Sequence, residues 1–141
     1  MKVDFNGTDI SFNLVRGNLR KEVASLFPET SEGDITDALV RYNLNTNTVT
    51  VDECASDSYA KYAAIHECIC CGPYCTLAPD TDDPSKRCGL IDKMLIQDMP
   101  ESERETYVAK RIEMFKTLIE KRLNPPLEHA FKESLETLKS L

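Results

Sequence analysis

A chain of 141 residues with a formal charge of −7 and a 41% hydrophobic share has room for one globular domain with one modest core. Its basic residues are interleaved with acids, as in "ESERETYVAKRIEMFKTLIEKR", which reads as a solvated, ion-paired helix face and argues against nucleic acid as a ligand. No run approaches the roughly 18 to 20 apolar residues of a membrane span, and "MKVDFNGTDISF" lacks a signal-peptide core. The expectation is a cytoplasmic protein with no membrane partner.

The first 15 residues predict a hairpin. "KVDF" and "DISFNLV" flank Asn6-Gly7, the dipeptide of tight type I′ turns, and Ile10, Phe12 and Leu14 alternate with polar residues. "NLRKEVASLF" has helical spacing and stops at Pro28, and "PETSEGD" reads as a loop. "ALVRYNLNTNTVTVDE" predicts a second hairpin, with Val40, Tyr42 and Leu44 on one face and Val49 and Val51 in the returning strand. Ser56 or Ser58 caps a helix that runs to Cys71, where Gly72 and Pro73 end it.

Residues 72–89 predict a long loop with three prolines and two glycines. "LIDKMLIQDM" predicts a short helix or strand. Pro100 opens a helix to about Leu123, and Pro125-Pro126 precede a last amphipathic helix with Leu127, Phe131, Leu135 and Leu138 toward the core. The expected fold class is α+β, a small antiparallel sheet followed by three to four helices. It forms a single domain over 1–141, with a C-terminal helical hairpin at about 100–140.

The chemistry concentrates in "YAKYAAIHECICCGPYC". At about 100° per residue, Cys70 lies about 40° from His66 on the buried face, with Glu67 at its border near 100°. In H-E-x-x-H, two histidines one turn apart reach one zinc and the glutamate activates the bound water. His66, Glu67 and Cys70 keep that spacing with a thiolate in place of the second imidazole. A thiolate adds negative charge, weakens zinc as a Lewis acid and raises the pKa of bound water. On the later helix the apolar stripe Val108, Ile112, Phe115 and Ile119 extends backward to Glu105 and Glu101. Glu103 points elsewhere, into solvent. A carboxylate on a buried stripe requires a partner, and a metal on His66 supplies one for Glu105.

The order of the strand "NTVTVD", the helix carrying "AAIHECICCG" and a later helix carrying "ERETYVAKRI" resembles small zincin domains of the gluzincin metallopeptidase type, over roughly residues 40–120. That resemblance implies a zincin-like fold and a zinc cofactor held by His66, Cys70 and Glu105. It also implies Glu67 as the catalytic base, Ala109 as the small residue after the third ligand, and a protein or peptide substrate. The H-E-C-I-C motif departs from the family at Cys70, so a divergent or inactive peptidase is expected.

The six cysteines, five of them between positions 68 and 88, offer another account. Without a secretory signal they are expected to be reduced thiols. Cys71, Cys75 and Cys88 form an alternative structural zinc set that pins the 72–89 loop, in a non-catalytic interaction protein. Cys68 faces away from His66, at about 200°, so the two sites are separable. A switchable disulfide at Cys70-Cys71 or Cys71/Cys75 is a weaker alternative, because no C-x-x-C is present. His129 reads as a surface residue.

Overall fold

The computed structural model describes residues 1–141. The chain opens with the expected hairpin, β1 (Lys2–Phe5) and β2 (Thr8–Ser11), paired antiparallel with Val3 opposite Ile10. Its turn is left-handed at both central residues, Asn6 (φ 50°) and Gly7 (φ 82°), as a type I′ turn requires.

The second arm does not run on to Val15 as one strand. After Phe12 the chain leaves the hairpin and forms β3 (Asn13–Gly17), which lies parallel to β5 (Thr48–Asp52) with Leu14 opposite Val49. β4 (Val40–Asn43) pairs antiparallel on the other side of β5, so the sheet order is β3-β5-β4 and the sheet is mixed rather than antiparallel. Leu44, expected on the buried face, sits beyond β4 and is exposed.

Helix α1 (Leu19–Leu26) connects β3 to the β4–β5 hairpin; the Asn18 side chain caps it by accepting from the Lys21 amide. Helix α2 (Asp57–Cys70) begins at Ser56, whose hydroxyl accepts from the Tyr59 amide at 3.2 Å. Ala60, Ala63 and Ala64 are fully buried and let α2 pack closely, while Ile65 and Ile69 fill the space around them. Each buried isoleucine contributes roughly 1.5–3 kcal/mol. Gly72 is forced by space rather than by φ, since a Cβ there would stand 2.7 Å from both the Cys68 carbonyl oxygen and the Tyr42 hydroxyl.

The 72–89 segment is more ordered than its prolines suggest. It carries two 3-10 turns, Cys75–Leu77 and Pro84–Lys86, and its last residues belong to α3 (Arg87–Asp98). Cys88 is therefore in the first turn of a helix and not in a loop. Helices α4 (Glu101–Glu120) and α5 (Glu128–Lys139) follow, joined by a short turn and packed together through Phe115 and Phe131, whose ring centres are 5.7 Å apart. One core of 25 buried residues runs from Phe5 to Leu138, and the α+β class holds with five helices. No helix is long and apolar enough to cross a membrane.

Candidate metal centre

Four charged or polar side chains from three helices meet in the core. His66 comes from α2, Asp92 from α3, and Tyr107 and Arg111 from α4; none is more than 1% exposed. Asp92 organises them. Its Oδ2 accepts from Arg111 Nε at 3.0 Å, and its Oδ1 accepts from the Tyr107 hydroxyl at 2.5 Å. His66 Nδ1 lies 2.8 Å from the same Oδ1 but off the axis of a ring N–H bond, so the contact is an attraction between charges and not a linear hydrogen bond.

The other imidazole nitrogen, Nε2, faces Cys88 Sγ at 3.2 Å. Cys88 and Asp92 are one turn apart on α3 and so share a face. The outermost Arg111 nitrogen also points toward this sulfur, at 3.8 Å. The thiol of Cys70 is close enough to both Cys88 and Cys71 to perturb them, and Cys88 is the sulfur that touches the imidazole.

The electrostatics follow from burial and charge. Burial alone would raise the Asp92 pKa, but Arg111 and then His66 hold it well below the usual carboxylate range. Burial would lower the His66 pKa, but the charge of Asp92, aided by Cys88, keeps it well above the ordinary value. The Cys88 thiol is pushed up by its neighbour Cys70 and by burial, against the opposing pull of His66. Cys70 acts in the other direction on Cys71, which is lowered. Burial pushes Cys68, on the far side of α2, up to about 12.

Ligand-capable atoms of His66, Cys88 and Asp92 lie within 4.8 Å of one another, a group that could hold a metal ion. The expected partners of His66 fare differently. Cys70 is partly buried next to Cys88 but falls outside that group. Glu105 is exposed and does not approach His66, and Glu101 and Ala109 are exposed as well. The face of α4 that turns inward carries Tyr107, Arg111, Met114 and Phe115, one residue of rotation away from the expected stripe. That rotation moves Glu105 into solvent and turns Glu103 inward, where it accepts from the Tyr62 hydroxyl at 2.6 Å. Burial, together with Glu103, pushes the Tyr62 hydroxyl up to about 12.

Glu67 is partly buried and lines a cavity of about 430 Å³ together with His66, Cys70, Cys71 and Cys88. Cys75 is exposed and stands apart from it, so the Cys71, Cys75 and Cys88 set is not assembled. Instead Cys88 joins His66, and the two sites read separately from the sequence merge. Asp92, Tyr107 and Arg111 were not anticipated. Their one signal is spacing: Cys88 and Asp92, like Tyr107 and Arg111, are four residues apart in otherwise apolar helix faces. No family model matches the chain, and neither does any curated protein or solved structure.

Proposed function

We propose that the protein is a zinc-binding domain whose centre uses His66 Nε2 and Cys88 Sγ, with the Cys70 thiol turning in from outside the His66–Cys88–Asp92 group to complete it and Asp92 on the other ring nitrogen. The observation that carries this reading is the position of His66, held between a carboxylate on Nδ1 and a thiol on Nε2. One ion cannot use both ring nitrogens, so Asp92 is left on the Nδ1 side, where the 2.8 Å contact would have to straighten into an N–H bond to orient the ring as carboxylates do behind metal-bound histidines. A nitrogen–sulfur donor set favours zinc. Tetrahedral zinc sets such ligands about 3.6 Å apart, so the 3.2 Å between Nε2 and Sγ opens by only a few tenths of an ångström.

Charge supports the same reading. Asp92 and Arg111 cancel, and two thiolates cancel a divalent cation, so the loaded site is neutral in a buried setting. The line Cys88–His66–Asp92 also has the order of a nucleophilic thiol site. There the proton is the difficulty: Cys70 and burial hold it on the Cys88 sulfur. A zinc ion replaces that proton. Three protein ligands would leave a fourth position on the ion, and Glu67, which lines the same cavity, would be the carboxylate to take a proton from water, as the resemblance to metallopeptidases implies. With two thiolates on the metal, hydrolysis by this centre is slow.

The test is native mass spectrometry under reducing conditions on untagged wild type, Cys88→Ala, His66→Gln and Glu105→Ala. One zinc per chain is expected in wild type and in Glu105→Ala, with loss in the other two. Zinc retained in Cys88→Ala, or no zinc in wild type, sinks the proposal.

A further inference from the structure

The cavity beside this centre has two unlike walls. Its polar wall comes from the end of α2 and the start of α3, with His66, Glu67, Cys70, Arg87 and Cys88. The opposite wall is apolar, built mainly from Leu39, Met114, Phe115, Leu118, Leu127 and Phe131. Its volume of about 430 Å³ falls within the range of small-molecule sites. Arg111 reaches the cavity but is already paired with Asp92. Arg87 is directed to the Ile69 carbonyl oxygen at 3.3 Å. No charged side chain projects from α5 or from the β4 approach into the cavity.

We infer that the cavity binds a small uncharged carbonyl compound with an apolar body, its oxygen on the open position of the His66–Cys88–Cys70 centre and its chain against the α4–α5 wall. This rests on the metal reading above. Charge selects the head group. A divalent ion with two thiolates is already neutral, and on the same wall the charge of Glu67 is offset by that of Arg87, so an anionic head would add a net charge to a balanced site. An amide oxygen brings no net charge and still donates a lone pair to the metal. The apolar wall selects the body, which gains roughly four-fold in affinity for each methylene buried.

The experiment loads the full chain with cobalt(II) in place of zinc and titrates it with hexanamide, octanamide and octanoate, following the cobalt absorption bands and, separately, calorimetry. Octanamide is expected to shift the bands, to bind roughly fifteen-fold tighter than hexanamide, and to bind more tightly than octanoate. In Leu118→Trp, which fills the apolar wall, cobalt uptake is expected to persist while the preference for octanamide over hexanamide disappears. Octanoate binding more tightly than octanamide, or equal binding of octanamide to metal-free protein, overturns the inference and leaves the metal reading standing. Cobalt uptake without any response to octanamide does the same. A chain that takes up neither cobalt nor zinc overturns both.

Discussion

Arg111 is the largest fully buried side chain, and its charge is matched by one carboxylate, Asp92, through Nε and Oδ2 at 3.0 Å. Replacing it with methionine keeps the volume close but leaves Asp92 with Tyr107 and His66 alone. Two unit charges about 4 Å apart interact by about 4 kcal/mol at an effective dielectric of 20, and breaking a buried pair from one side costs about 3–5 kcal/mol. With a urea slope of about 2 kcal/mol/M, Arg111→Met is expected to lower the unfolding midpoint by about 2 M in chelator-treated protein. Asp92→Leu should lose a similar amount, because it strands the guanidinium. The double variant Asp92→Leu/Arg111→Met removes both charges and is expected to be more stable than the sum of the single losses by at least about 2 kcal/mol. The assay is urea denaturation of all four proteins followed by circular dichroism. Additive losses within about 0.5 kcal/mol would refute the claim that these two residues act as a pair.

Two further expectations test other parts of the structure. The raised His66 pKa means that the folded metal-free state holds its proton more tightly than the unfolded chain does. Its contribution is fully present below the ordinary value of about 6.5 and is lost as pH rises through the raised folded value. Metal-free wild type should therefore lose stability as pH rises above about 6.5, and His66→Gln should flatten that limb; parallel curves for the two proteins would count against it. Gly72→Ala places a Cβ 2.7 Å from the Cys68 carbonyl oxygen. It is expected to destabilise by about 1–3 kcal/mol, read as a lowered Tm, and an unchanged Tm would show that the α2 terminus can shift to admit it.

The local signals in the sequence were legible where one residue type meets one backbone demand. Asn6-Gly7 turns left-handed and Ser56 caps α2; Gly72 follows the end of α2 as read, but what demands a glycine there is the closeness of the Cys68 carbonyl and the Tyr42 hydroxyl, which the local sequence does not encode. The parallel pairing of β3 with β5 was not legible, because Asn13 and Thr48 come together only through the tertiary fold and no short-range pattern encodes it. The face of α4 was misread for a physical reason. Val108, Ile112, Phe115 and Ile119 score as an apolar stripe, and Arg111 scores as surface. Arg111 is buried because Asp92, on another helix, offsets its charge. The same long-range pairing hid the centre. His66 was visible from its motif, but its partners Asp92 and Cys88 arrive from α3, whose first turn was read as loop.

The Asp92 cluster has a consequence for which structure the chain selects. Apolar side chains are largely interchangeable as neighbours, so a helix such as α4 could slide by one turn, about 5.4 Å, and still bury a greasy face. Arg111 cannot follow such a slide, because no other buried carboxylate waits one turn away in the core it faces; the remaining buried acid, Asp52, is held by Arg20. A slipped packing would strand a guanidinium, a carboxylate and an imidazole at once. The cluster thus ties the relative register of α2, α3 and α4 to the one arrangement in which His66, Asp92, Tyr107 and Arg111 meet.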